Sequence, residues 1–250
     1  MINISFILNL LYKVLLYTLL ELIMNFCKNS RSLLSLMQLT SPNFPTGGFI
    51  YSRGLEYAIE SGWITSIGSF ANWQKQWIFG QLSYLELPML ERCYYYSKMN
   101  DALNFKQCAL KILSYLDTSE LRYEEIQRGK AMTKLILQWY SPVDDCWISA
   151  FKYSGLASVA WLGCTWNIPI NNLALGYSYN MLESSIMVGL KLIPFGQKTA
   201  QQLLRYLSIF LVDAWNQASL VKDNELGNSF ILQSIASSCH EDQYSRLFKS

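Results

Sequence analysis

Apolar residues recur along most of the chain at the spacing of helices that bury one face. In one such segment Tyr51, Leu55, Ala58 and Ile59 follow this spacing, and Gly62 supplies a stop. No run alternates between apolar and polar residues as a half-buried strand would, and no repeat or linker marks a domain boundary. The pattern predicts an all-α fold, a single-domain bundle of about nine or ten helices.

Capping residues and charge spacing predict where individual helices begin. Ser66 is placed to cap a long helix whose apolar face includes Phe70, Trp73 and Trp77. Asp117 and Glu120 have the spacing of a capping box, which predicts a helix that runs from there to about residue 140.

Prolines and small residues predict further boundaries. Pro88 predicts a kink or a break. Residues 144–163 are rich in small side chains and are predicted to form one helix that packs closely on its neighbours. A short helix is expected over residues 229–237, followed by a tail at 238–250.

A stiff corner interrupts the helical pattern before Tyr51. Pro42 and Pro45 forbid a continuous helix, since each lacks an N–H group and restrains the residue before it. Gly47 and Gly48 add backbone that can adopt positive φ. Judged by spacing alone, the segment is an ordinary connector between two helices.

The first residues are unusually apolar. Residues 2–26 are long enough to span a membrane, but Lys13 and Glu21 interrupt them, and no signal-peptide cleavage site follows. The spacing favours an amphipathic helix on the protein body or on a partner. The alternatives are a poorly ordered extension, a membrane-associated helix, and a start codon placed too far upstream. We treat residues 1–30 as an extension and residues 31–250 as the domain.

Composition narrows the classes of function. Hydrophobic residues make up 51% of the chain, charged residues make up 15%, and the formal net charge is +2. An average soluble protein has roughly 25% charged residues, so this surface is poor in charge and suited to being covered by partners. Lys and Arg are scattered, which argues against nucleic-acid binding.

Catalytic and metal-binding templates are missing. The chain has no phosphate loop, no dinucleotide fingerprint and no hydrolase motif; its six cysteines include no CxxC pair, and it has one histidine. Cys239 and His240 are adjacent, but two ligands do not make a metal site, so an exposed pair is expected. Glu120, Glu124 and Glu125 are expected on a solvated or interface face. We predict no catalytic residue, no metal site and no cofactor.

The last residues combine several side chains that are typical of binding sites. Tyr244, Arg246, Leu247 and Phe248 lie within five residues of one another. Apolar anchors at a terminus are wasted unless something binds them, because termini usually fray. The tail is therefore expected to dock on its own domain, on a partner, or on both in turn.

Four blocks along the chain resemble one known family. Residues 38–56 read Q-L-x-S-P-x-x-P-x-G-x-F-x-Y-S-x-G-L-E, which is similar to the opening signature of the UreF-type urease accessory proteins. The other matching blocks are E-x-R at 120–122 with Q-x-G at 127–129, L-I-P-F-G-Q at 192–197, and the closing H-E-x-Q-Y-S-R-L-F at 240–248. Ile50 and Arg53 occupy variable-looking places in the opening signature. The first thirty residues lie outside the match.

The resemblance implies an all-helical, dimeric, non-enzymatic protein of the cytoplasm. Such proteins join UreD and the GTPase UreG in a complex that delivers nickel and carbon dioxide to apo-urease, and UreF itself holds no nickel at a dedicated site. Carried over by matched position, the partner-binding residues are Pro42, Pro45, Gly48, Tyr51, Glu56, His240, Glu241, Gln243, Tyr244, Arg246, Leu247 and Phe248. Residues that face UreG or are structural are Glu120, Arg122, Gln127 and Gly129.

Two alternatives and one mechanistic hypothesis accompany this interpretation. The protein could instead activate the UreG GTPase by inserting Arg122, Arg128 or Arg53, or it could be anchored to a membrane through residues 2–26. For the scaffold, we hypothesise that the Arg246 guanidinium reaches the Tyr51 hydroxyl or a nearby carbonyl and pins the tail when UreD binds.

Overall fold

Helices make up the regular structure wherever the chain is described. A computed structural model describes residues 29–42, 44–45, 50–227 and 230–249. These residues contain no strand, which confirms the all-α prediction. The predicted extension up to residue 28 lies outside the described residues, as do Gly47 and Gly48 of the corner.

The helices follow one another with short connections. Helix α1 covers residues 29–39. The others are α2 (Leu55–Glu60), α3 (Ile67–Trp77), a π-helix (Ile78–Glu86), α4 (Leu87–Lys98), α5 (Ala102–Ser114), α6 (Ser119–Trp139), α7 (Asp145–Tyr153), α8 (Gly155–Thr165), α9 (Ile170–Leu192), α10 (Gln197–Ser208), α11 (Phe210–Ala218) and α12 (Ile231–His240). Since α3, the π-helix and α4 form one unbroken run, and only Ile209 separates α10 from α11, the number of runs agrees with the predicted bundle.

Pro88 does not break the chain, because a π-helix precedes it. Proline has no N–H group and its ring crowds the carbonyl four residues earlier, here that of Tyr84. That carbonyl accepts a hydrogen bond from the Gly227 N–H at 3.3 Å. The wider π turns therefore carry the helix into α4 without a break, and they place Glu86 at the junction.

Local caps set several helix starts. Ser66 and Ser69 form a reciprocal capping box at the start of α3, so the predicted cap at Ser66 is confirmed. The start of α6 differs by one residue from the prediction: Thr118 accepts from the Leu121 N–H, whereas Asp117 accepts from the Ser234 hydroxyl at 2.6 Å. A hydrogen bond to a distant helix thus displaced the expected cap.

The single helix predicted over residues 144–163 is two helices, α7 and α8. Ser154 between them has extended backbone, and its hydroxyl caps α8 by accepting from the Ala157 N–H at 3.0 Å. The same hydroxyl donates to Glu125 at 2.6 Å. The break exists because this buried carboxylate of α6 stabilises it, which no local pattern reveals.

The apolar faces meet in one continuous core. Phe70, Trp73 and Trp77 of α3 are buried as predicted, and α4 packs on α8 while α6 packs on both α7 and α8. Helix α12 packs against α2 and α6, which brings the end of the chain beside residues 50–60. Across the described ranges, no helix is both long and apolar enough to cross a membrane.

Candidate partner-binding site

The tail after α12 folds back along the segment that follows the proline corner. The N–H groups of Leu247 and Phe248 donate to Glu56, and the Lys249 N–H donates to the Ile50 carbonyl at 2.8 Å. The opening and closing blocks of the sequence are therefore neighbours in space. Docking on the chain's own domain, one of the two roles expected for the tail, is what the structure shows.

Glu56 is the residue of α2 that contacts the tail main chain. It lies in the first turn of α2, where a carboxylate is favoured by the helix dipole, and it is only 1% exposed. Its Oε1 accepts from Leu247 N at 2.6 Å, and its Oε2 accepts from Phe248 N at 3.0 Å. A buried carboxylate needs such donors, since an unpaired charge away from water is costly.

His240 joins Glu56 to a second carboxylate. Its Nε2 lies 3.1 Å from Glu56 Oε2, and its Nδ1 lies 3.0 Å from both oxygens of Glu120. The ring is completely buried, so the expectation that Cys239 and His240 form an exposed pair is wrong. Helix α12 continues through His240, beyond the predicted end, and its last turn inserts the ring between α2 and α6.

Glu120 is buried as well, so the solvated face, one of the two positions expected for it, is wrong. Burial raises its pKa, whereas the hydrogen bond and charge of His240, and the charge of Arg246, act in the opposite direction. The Arg246 Nη1 lies 3.3 Å from Glu120 Oε1. Glu120 is thus held by groups from α12 and from the tail.

In the chain by itself, Arg246 contacts Glu120. The hypothesis that Arg246 reaches the Tyr51 hydroxyl or a nearby carbonyl concerns the state in which UreD is bound, so it stays a prediction. Tyr51 is buried, and burial together with the nearby Glu124 raises its pKa.

The docked tail separates inward from outward side chains. Phe248 is buried, and the Lys191 Nζ lies 5.6 Å from its ring centroid. Tyr244 is fully exposed, and Leu247 is 66% exposed. Apolar side chains held outward on an ordered backbone are suited to contacting another protein.

The remaining tail residues make polar contacts at the edge. The Gln243 Nε2 donates to Glu60 Oε2 at 2.6 Å, and Glu241 accepts from the Ser119 hydroxyl. Both acidic partners are exposed, so these contacts add little to stability.

The corner lies at the surface as far as it is described. Pro42 and Pro45 are exposed, and the Phe44 ring lies 6.3 Å from that of Trp139. Gly48 falls outside the described residues. With respect to the described residues, the predicted partner-binding prolines are therefore accessible.

A second polar network lies in the interior and was missed by the sequence analysis. Arg53, with φ of 54°, places its Nε 3.0 Å from both oxygens of Glu124 and its Nη1 3.3 Å from Glu86 Oε1. Burial alone would lower the pKa of Arg53, but Glu124 and Glu86 outweigh it and raise the pKa. A glutamate inside the apolar run around residue 86 was the available signal, because a carboxylate there requires a buried partner.

Glu86 collects further donors. Tyr177 OH donates to its Oε2 at 2.7 Å, and Gln81 Nε2 donates to its Oε1 at 3.1 Å. Burial, followed by the charge of Glu86, raises the pKa of Tyr177 well above its usual value. The π-helix and α9 are thus tied together in the centre of the molecule.

Glu124 and Glu125, which were also expected on a solvated or interface face, are buried in the chain by itself. Glu125 accepts from the Ser154 hydroxyl and from the Leu156 N–H at 2.8 Å. Glu124 pairs with Arg53, and it lies 3.8 Å from the Arg128 Nη1. Arg128 is buried and the Arg53 side chain is 18% exposed, and both are held in ion pairs with Glu124.

Three residues of the central block have separate locations. Arg122 donates to the Leu116 carbonyl at 2.5 Å, at the start of α6. Gln127 borders an open groove with Lys130, Lys134 and Lys152. Gly129 lies where α6 crosses the α7–α8 junction, because a Cβ there would come within 2.4 Å of the Phe151 carbonyl oxygen. Gly129 is thus a packing residue.

The chemistry available to this site is recognition of peptide. In the part of the chain that is described, no group of three or more His, Cys, Asp or Glu side chains is arranged to hold a metal ion. His240 has carboxylates at both ring nitrogens, so neither nitrogen faces an open position. The arrangement binds main-chain N–H groups and displays apolar side chains.

Comparison with known proteins places these features in a family. The family model described as UreF matches residues 64–208. The urease accessory protein UreF of Blochmanniella floridana is 69% identical over 227 residues, which cover 91% of this chain and 100% of that protein. The protein of the same description from Blochmanniella pennsylvanica (strain BPEN) is 63% identical over 220 residues, covering 88% and 96%. That of Pseudomonas entomophila (strain L48) is 45% identical over 219 residues, covering 88% and 98%.

Proposed function

Because this chain belongs to the UreF family of urease accessory proteins, we propose that it is a non-enzymatic scaffold for urease maturation. In this role it acts in the cytoplasm as a homodimer, joins UreD, recruits the GTPase UreG, and through them serves nickel insertion into apo-urease. Nickel is the cargo of the complex, and this chain provides protein contacts.

The observation that carries the proposal is the surface formed by the docked tail. Tyr244 and Leu247 project outward from a backbone that Glu56 and the Ile50 carbonyl hold in place. An ordered backbone lowers the entropy that a partner must remove, and an exposed tyrosine is a frequent centre of binding energy. The proline corner, before Tyr51 in the chain, adds a second exposed element.

The test is capture of this chain by tagged UreD and UreG homologues, followed by a measurement of the size of the complex. We expect Leu247→Ala to weaken capture by about tenfold, as loss of a central apolar contact does. Leu103→Ala on α5 is the matched control, because Leu103 is 71% exposed and lies in another part of the chain. Equal capture of the two variants, or no capture of the unmodified chain, would contradict the proposal.

One further measurement distinguishes the scaffold role from the alternative role of activating the UreG GTPase. Of the three candidate arginines, Arg53 and Arg128 form ion pairs with Glu124, and Arg122 binds the Leu116 carbonyl. We therefore expect single-turnover GTP hydrolysis by UreG to be unchanged by Arg122→Ala. A fall by a factor near the 10³–10⁵ typical of an arginine finger would favour activation instead.

A further inference from the structure

Two consecutive backbone N–H groups of the tail bind a single carboxylate of the domain. Leu247 N and Phe248 N donate to the two oxygens of Glu56, at 2.6 and 3.0 Å. Because Glu56 is buried, these charge-assisted bonds form away from water, where they are strongest. Recognition through two consecutive N–H groups depends on the path of the backbone and not on the identity of the side chains.

Glu56 is in turn connected to a second carboxylate that also holds the tail. His240 lies between Glu56 and Glu120, with one ring nitrogen 3.1 Å from the first and the other 3.0 Å from the second. Each ring nitrogen of His240 therefore faces a carboxylate. Glu120 binds Arg246 at 3.3 Å, so each carboxylate at either side of the ring contacts the tail.

We infer that Glu56 is the receptor for the main chain of the tail, and that His240 is the positioning residue that keeps both Glu56 oxygens directed at Leu247 and Phe248. The Glu56–His240–Glu120 relay joins α2, α12 and α6 to the last nine described residues. The docked state buries Phe248 and turns Tyr244 and Leu247 outward. The relay thereby sets the surface that a partner meets, and only this last step rests on the proposed function.

Tail docking can be measured on the chain alone with trypsin. Trypsin cleaves after Arg246, and it requires the Arg246–Leu247 peptide to leave Glu56, so the cleavage rate follows the undocked fraction. Intact mass distinguishes loss of residues 247–250 from loss of Ser250 alone after Lys249. We expect Glu56→Gln to accelerate cleavage after Arg246 by about tenfold or more, because an amide cannot replace a carboxylate that accepts from three donors.

Glu60→Gln is the matched control. Glu60 lies on the same helix and contacts the tail through the Gln243 side chain, but it is exposed. We expect it to change the cleavage rate by less than about threefold, since surface contacts contribute little. Equal acceleration by the two variants would overturn the role of Glu56 as receptor.

The positioning role of His240 requires a readout that general loss of stability would not produce. We expect His240→Gln to accelerate cleavage as Glu56→Gln does, and the double variant to exceed the faster single variant by no more than about threefold. Independent effects would instead multiply, which would overturn the positioning role. Circular dichroism and the urea midpoint of each variant establish that the domain is still folded.

A measurement on the unmodified chain covers the case in which the variants do not fold. We expect the Leu247 and Phe248 amides to exchange with deuterium at least about tenfold more slowly than the neighbouring Tyr244 and Ser245 amides. Equal rates would overturn the inference without any substitution.

The partner step is tested separately from docking. We expect Glu56→Gln to weaken capture by UreD and UreG homologues by about tenfold, because a mobile tail must be ordered on binding. If cleavage accelerates and capture is unchanged, the link between the relay and the partner surface is wrong while the proposed function stands. If the unmodified chain is not captured at all, the proposed function fails, and the docking result is unaffected.

Discussion

Single buried carboxylates organise much of this protein. Glu86 illustrates the principle, since it accepts from Tyr177, Gln81 and Arg53 and is enclosed by the core. Each donor replaces a hydrogen bond that the carboxylate would make to water. Removing one donor therefore costs more than the same change at the surface, because the charge stays buried with fewer partners.

Tyr177→Phe tests this at one atom. The change removes the hydroxyl 2.7 Å from Glu86 and leaves the ring in place. We expect a loss of about 1.5–3 kcal/mol in the free energy of unfolding, the range for a hydrogen bond to a charged group, measured by urea denaturation.

Tyr179→Phe on the same helix provides the comparison. Tyr179 is 42% exposed, and its hydroxyl forms no hydrogen bond to a described residue, although burial and the nearby Glu183 raise its pKa. We expect a change within about 0.5 kcal/mol, as for most surface substitutions. If Tyr179→Phe lowered the free energy of unfolding as much as Tyr177→Phe, the buried hydrogen bond would contribute no more than an exposed hydroxyl.

Two kinds of helix contact recur at the scale of elements. Where α6 meets the α7–α8 junction, Gly129 allows backbone to approach backbone, and Gly155 lies against Arg128 in the same crossing. Where α12 meets α2 and α6, polar side chains fill the space instead. At the α6 crossing, stability depends on the space between the helices. At the α12 contact it depends on hydrogen bonds, so different substitutions destabilise the two contacts.

Alanine substitution at two helical glycines distinguishes a site where the added methyl group has no room from a site where it only favours the helix. Gly129→Ala would bring a Cβ within 2.4 Å of the Phe151 oxygen and 3.0 Å of the Ser154 nitrogen, neither of which can rotate away. We expect a loss of about 1–3 kcal/mol, typical of overpacking.

Gly68→Ala in α3 is expected to act in the opposite direction. Its nearest neighbour would be the Ser66 hydroxyl at 3.8 Å, so there is room for the methyl group. Alanine should stabilise the helix by about 0.5–1 kcal/mol, seen as a higher thermal midpoint. Shifts of the same sign for the two variants would contradict this interpretation.

The molecule as a whole carries little charge for its size. Charged residues are 15% of the chain, and several of them, including Glu56, Glu86, Glu124 and Arg128, are buried in pairs or networks. Few charged side chains are therefore left at the surface that partners would contact. Association should then depend on apolar contact and on the ordered tail, and less on long-range attraction.

Salt dependence measures this balance. For capture by UreD and UreG homologues, we expect the dissociation constant to change by less than about threefold between 0.1 and 0.5 M salt, because screening acts on exposed charges. A rise of tenfold or more would show that a charged surface dominates association. Leu247→Ala should show the same small salt dependence at weaker affinity.

The sequence determined the features that depend on neighbours within one or two turns. The all-α class, the cap at Ser66, and the burial of Phe70 and Trp77 followed from periodicity and capping. The four blocks also indicated the family, which the comparisons confirm. These results were accessible because helices and their caps are stabilised largely by contacts that are local in the chain.

Only the tertiary structure decided which polar residues are inside. Glu56 and His240 are 184 positions apart in the chain and make a buried contact, and Arg53 and Glu124 are 71 apart and make a partly buried one. A glutamate or a histidine is expected to be exposed from its hydropathy. Burying its charge costs free energy unless another part of the fold places a partner of opposite charge or a hydrogen-bond donor beside it. The position of that partner depends on how the helices pack, which the local sequence pattern does not specify.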